Sequence, residues 1–96
     1  MGEKIQLKHP AGKKAISMDK EKYEIIKTHF LAHLKEKGPS THTELLRSIT
    51  NRILEEKIKF TGSIEWHMEW VKLDLEANKI IKRMGDKPPI KFALIK

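Results

Sequence analysis

Two different spacings organise the apolar residues of this chain. From Asp19 to Lys37, Tyr23, Ile26, Phe30 and Leu34 recur at intervals of three and four, which puts them on one face of a helix. Asp19 or Ser17 can cap that helix, and Gly38-Pro39 ends it, because glycine suits the position after a helix and proline disfavours helix before it. Thr41-His42-Thr43-Glu44 spells a capping box, so a second helix starts there, with Leu45, Leu46, Ile49 and Ile53 as its buried stripe and an end near Leu54 or Glu55. A charged connector from Glu55 to Thr61 leads to Gly62-Ser63, where Ser63 can cap a third helix reaching Ala77 or Asn78.

At both ends the period changes to two. Residues 3–17 alternate Ile5 and Leu7 with polar neighbours, pass through His9-Pro10-Ala11-Gly12 and return along Lys13-Lys14-Ala15-Ile16, which reads as a hairpin too short to stand alone. The tail repeats the arrangement: Lys79 to Met84, then Gly85-Asp86-Lys87-Pro88-Pro89, then Ile90 to Ile95 with Ile90, Phe92 and Leu94 on one face. Three helices, a helix-turn-helix pair among them, followed by a hairpin is the winged-helix order, here with an extra N-terminal hairpin. The expectation is therefore one α+β winged-helix domain over 1–96, with hairpins at 1–17 and 79–96 around helices in 18–78. A compact α+β domain that lacks the helix-turn-helix crossing remains the alternative.

Composition narrows the partners. The chain has no cysteine, so neither disulfides nor thiolate zinc sites hold it together. It has no membrane-spanning apolar run, and Met1 to Pro10 lack the apolar core of a signal peptide, so a cytoplasmic location is expected and no membrane partner. Twenty basic residues against thirteen acidic give +7, a balance that favours acidic partners such as nucleic acid.

The wording of the chain resembles a family of short, uncharacterised bacterial winged-helix proteins. The resemblance rests on Leu7-Lys8-His9-Pro10, on Gly38-Pro39-Ser40-Thr41, and on Gly62-Ser63-Ile64-Glu65-Trp66 continuing through Val71-Lys72-Leu73-Asp74-Leu75-Glu76-Ala77. It implies the fold and no reaction or ligand. Asn78-Lys79 departs from the glycine expected after the third helix, although asparagine tolerates the left-handed cap.

Charge is unevenly placed. Residues 79–96 hold six basic side chains against Asp86, and residues 1–17 hold four against Glu3, local balances of +5 and +3. Between Ser63 and Asn78, Lys72 faces Glu65, Glu69, Asp74 and Glu76, a balance of −3 that repels phosphate where a DNA-reading helix needs donors. That acidic run reads as a solvated face. Ile64, Met68, Val71 and Leu75 form the buried stripe of the third helix, while Trp66, Trp70, Leu73 and Ala77 form a second one nearly opposite. Either the hairpins cover the second stripe, through Ile5, Leu7, Ile16, Phe92 or Leu94, or it meets a partner.

The candidates for nucleic-acid contact are thus Lys82, Arg83 and Lys87 of the C-terminal hairpin with Lys13 and Lys14 of the N-terminal one, tracking the backbone of DNA without reading bases. Lysines on such a hairpin serve equally to protect a sheet edge. The candidates for a protein partner or homodimer are Trp66, Trp70 and Leu73. His29 and His33 share the four-residue spacing of a metal pair, but without a third ligand they read as surface histidines, and His67 as a boundary residue. No phosphate loop, nucleophile elbow or Ser/His/Asp set is present, so a non-catalytic binding module is expected, with no metal and no cofactor.

Overall fold

A computed structural model describes residues 3–85 and 87–95; Asp86 of the C-terminal turn and Lys96 of the basic tail lie outside the described residues, as do Met1 and Gly2. The order of elements is β1 (Lys4–Gln6), β2 (Ser17–Asp19), α1 (Lys20–Lys37), β3 (Ser40–Thr41), α2 (His42–Glu55), α3 (Ile64–Ala77), β4 (Ile81–Met84) and β5 (Lys91–Leu94). The fold is α+β. β1 and β2 pair as an antiparallel ribbon, and β3, β5 and β4 form an antiparallel sheet in that order.

Each helix begins where its cap satisfies an otherwise unpaired amide. The Asp19 carboxylate accepts from the Lys22 amide at 3.2 Å, the Thr41 hydroxyl and Glu44 carboxylate form the complete capping box, and the Ser63 hydroxyl accepts from the Trp66 amide at 3.1 Å. α1 stops at Gly38, whose φ of 77° no other residue adopts cheaply and whose amide donates to the Leu34 carbonyl. α2 and α3 close in a different way. Lys57 and Lys79 sit in the left-handed region, at φ of 54° and 59°, and the next amides, of Ile58 and Ile80, reach back to the Ile53 and Leu75 carbonyls. These are Schellman closures with an isoleucine on the apolar side of each. The left-handed residue after α3 is therefore Lys79 and not Asn78, which stays at φ −86°.

The core joins the three helices to β2, β4 and β5. Tyr23, Ile26, Phe30 and Leu34 of α1 meet Leu45, Ile49 and Ile53 of α2 and Met68, Val71 and Leu75 of α3, closed by Leu7, Met18, Ile81 and Phe92. The N-terminal ribbon differs from the expected hairpin: its return strand lies at Ser17–Asp19, running directly into α1, and Lys13 to Ile16 belong to the connection. There the Leu7 amide donates to the Ile16 carbonyl at 3.0 Å, and the Gln6 side-chain amide donates to the Ala15 carbonyl at 2.9 Å and the Ile16 carbonyl at 3.2 Å, extending the pairing past the strands.

One buried carboxylate fixes this connection to the helices. Asp74, counted in the sequence with the solvated acids of α3, is 4% exposed. It accepts the Tyr23 hydroxyl of α1 and, at 2.9 Å, the Lys8 amide of the ribbon's connection. A carboxylate at that depth is tolerable only with such donors. Burial, reinforced by the bond to Asp74 and its charge, pushes the Tyr23 phenol far above its ordinary range, so it remains a donor throughout.

Candidate functional site

Strand alternation decides what each basic residue of the C-terminal hairpin can do. Ile81 and Arg83 point to one face of β4, Lys82 and Met84 to the other. Cross-strand partners share a face, so the register Arg83↔Phe92 and Ile81↔Leu94 completes an inner face, and Lys82↔Ala93 and Met84↔Lys91 an outer one.

On the inner face the cations are engaged. Arg83 donates from Nε to both carboxylate oxygens of Glu76, at 3.1 and 3.2 Å, and its guanidinium lies 5.7 Å from the Phe92 ring centroid. The Lys72 ammonium sits over the same ring at 4.8 Å and donates to His42 Nδ1 at 3.2 Å, and His42 Nε2 donates to Glu65 at 3.1 Å. That chain of donors fixes the imidazole tautomer. Burial draws the Lys72 ammonium below its ordinary pKa, with Glu69, Glu76 and Glu65 opposing the shift. Arg83, a candidate for phosphate contact, thus ties β4 to α3 through Glu76 with about half of its side chain still exposed.

On the outer face the cations of the described residues make no ion pair, and the Lys91 charge only helps the Thr41 hydrogen bonds to hold the Glu44 carboxyl below its ordinary range. A groove of about 670 Å³ runs between the last turn of α1 and the hairpin, floored by Leu34, Pro39, Ala93 and Ile95 and edged by Lys35 and Lys82. It continues across Met84 into a shallower cleft that Lys87, Pro89 and Lys91 line. Among the described residues, no aspartate or glutamate lines either part, and Lys35, Lys82, Lys87 and Lys91 make no ion pair. Met84 and Ile95 are exposed there at 42% and 43%. β4 is also an edge strand of its sheet, so a role for Lys82 in guarding that edge fits as well.

Lys13 and Lys14 do not join this surface. Both are exposed in the ribbon's connection, where Lys13 lines a separate shallow pocket with Leu7, Lys8 and Ala77 at the end of α3. The tryptophan stripe is divided. Trp70 packs against the core and Leu73 is half-buried, while Trp66 is 45% exposed with its ring edge-to-face on His67 at 4.9 Å.

The histidines are structural in a way that their spacing concealed. His29 and His33, expected at the surface, are both 9% exposed. The Ser40 hydroxyl donates to the Gly38 carbonyl, so it accepts from His33 Nε2 at 2.9 Å. Burial holds the His33 pKa below its ordinary 6.5, aided by Arg52. His29 Nε2 lies 3.5 Å from Glu56, and His67 Nδ1 donates to the Ser63 carbonyl at 2.7 Å. Among the described residues no three His, Asp or Glu side chains gather as a metal site, and no helix is long and apolar enough to cross a membrane.

A family model, "Family of unknown function (DUF6958)", matches residues 4–92, which include all three blocks on which the resemblance was drawn. No curated protein and no solved structure matches the chain.

Proposed function

The chain belongs to that family of unknown function, and we propose that it is a non-catalytic winged-helix module that binds the nucleic-acid backbone through the outer face of its C-terminal hairpin. The observation that carries this reading is the segregation of charge: Lys82, Lys87, Lys91 and Lys35 edge a groove lined by no acid among the described residues, while Arg83 is spent on Glu76. The winged-helix assignment is supported by the pairing of the two-residue β3, between α1 and α2, with the C-terminal hairpin in the order β3-β5-β4. Phosphate contact needs cations in a suitable row and no base-reading helix, which agrees with the acidic exposed side of α3. The non-catalytic part of the reading is supported by the occupations of the polar groups: Asp74, His33 and His67 are each held by hydrogen bonds within the fold.

Fluorescence anisotropy of a labelled oligonucleotide at rising salt tests it. Binding should weaken linearly in log–log form, and replacing Lys82, Lys87 and Lys91 by glutamine should flatten the slope by about two, at ~0.7 per lost phosphate contact on a single strand. Unchanged affinity in that triple variant would remove the hairpin from the account.

A second reading, a protein partner or homodimer at Trp66, Trp70 and Leu73, is favoured by the 45% exposure of Trp66 on a helix whose other side is core. A concentration-dependent mass that Trp66→Ser abolishes would support it, and a monomer at all concentrations would oppose a homodimer.

A further inference from the structure

The outer groove contains more than a row of cations. Its floor is aliphatic: Leu34, Pro39 and Ala93 line it together with the two large side chains Met84 and Ile95, both over two-fifths exposed. A duplex, which offers phosphate and sugar outward and keeps its bases stacked inside, would leave that floor in water. Building on the nucleic-acid reading, we infer that the groove between the end of α1 and the C-terminal hairpin is a site for single-stranded nucleic acid, with the lysines on its phosphates and unpaired bases laid over Met84 and Ile95.

The cations are arranged for a repeating charge. Lys82 lies at one level of the hairpin, Lys91 one step on, opposite Met84, and Lys87 beyond it in the turn. Steps of two residues along a strand are about 7 Å, so the outer face presents one ammonium per step along its length. Lys35 on α1 edges the groove at its Lys82 end. A chain that carries one anionic charge per unit and an apolar face between charges fits that alternation. An acidic amphipathic peptide would gather its apolar side chains into one stripe and leave the spaced lysines unevenly used. The floor is concave and about 670 Å³ in volume, with an adjoining cleft of about 510 Å³, room for a few unstacked bases and not for the cylinder of a duplex. Aliphatic side chains hold a base less strongly than the aromatic platforms of general single-strand binders, so the preference for single strands should be about tenfold, in the lower part of the range for one stacked base.

The experiment compares labelled single strands of about ten nucleotides with duplexes of the same length, by anisotropy at low salt. The expected result is tighter binding of the single strand by about tenfold, a preference that Met84→Ser with Ile95→Ser removes while duplex binding persists. Both residues are exposed, so the variant keeps its core. Trp66→Ser should leave the preference intact. Equal affinity for both forms, unmoved by the serine pair, overturns this inference and leaves backbone binding standing. Loss of the preference in Trp66→Ser overturns it also, because the bases then stack on α3. A polyglutamate-rich amphipathic peptide that binds with the same Met84 and Ile95 dependence while oligonucleotides fail to bind assigns the groove to protein. No binding of either nucleic acid removes the backbone reading and this one with it.

Discussion

The two faces of the C-terminal hairpin are built from alternating residues of the same four-residue strands, yet they have opposite electrostatic fates. On the inner face, Arg83 and Lys72 converge on the Phe92 ring and are matched by Glu76 and Glu65, the latter through His42, binding the hairpin to α3 and α2. On the outer face, Lys82 and Lys91 stand one strand position away from Arg83 and Phe92 and make no ion pair among the described residues, Lys91 acting on Glu44 only through its charge. Cations of equal formal charge are therefore not interchangeable. The pleat assigns one set to holding the fold and leaves the other outside those ties.

Variants in each face should separate these roles. Phe92→Ala should have the largest effect, costing about 3–5 kcal/mol by denaturant unfolding, because it removes a buried ring that also seats two cations. A loss below about 1 kcal/mol would mean that the inner face is not a structural one. Next, changing Lys82, Lys87 and Lys91 together to glutamine should lower oligonucleotide affinity at least about tenfold at low salt with the melting temperature nearly unchanged. Arg83→Gln should do the reverse, leaving affinity intact and costing under about 1 kcal/mol, as expected for a half-exposed ion pair.

Smaller effects test the supports on either side. The folded-state pKa of His33 lies below its unfolded value of 6.5, so the unfolded chain binds the extra proton first and the contribution is complete above that pH. Stability should fall as pH drops below about 6.5, and His33→Gln should reduce that slope in urea melts collected between pH 7 and 5. Lys79→Gly, at the left-handed cap where α3 turns into β4, should raise stability by up to about 1 kcal/mol, since glycine relieves the strain at φ 59° but has more freedom to lose. A destabilised Lys79→Gly variant would show that the lysine stem contributes packing there.

Much of the architecture was legible because helices of fourteen to eighteen residues repeat their apolar stripe several times. β3 has two residues and no period to read, and its pairing with Phe92 and Lys91 spans half the chain. The return strand of the ribbon lies later than the pattern suggests because only the Leu7 amide pairs with the Ile16 carbonyl there, and the Gln6 side chain, not a backbone amide, holds the Ala15 carbonyl. Arg83 shares its strand face with the buried Ile81, a placement the sequence does not single out because the neighbouring Ile80 is equally apolar. His29 and His33 precede Phe30 and Leu34 by one residue, so they flank the buried stripe, and only the arrival of Ser40 and Glu56 defines their roles. Asp74 was beyond reach, because its donors come from Tyr23 and Lys8, more than fifty positions away.

The central claim is that the outer face of the hairpin, and not the exposed side of α3, meets the ligand. Backbone amide shifts of the labelled protein titrated with a short single-stranded oligonucleotide address it directly. The account predicts that the moving amides are those of Lys82, Met84, Lys91 and Lys35, with Glu65, Trp66 and Glu69 at rest. Shifts concentrated on α3, with Lys82 and Lys91 unmoved, would contradict it.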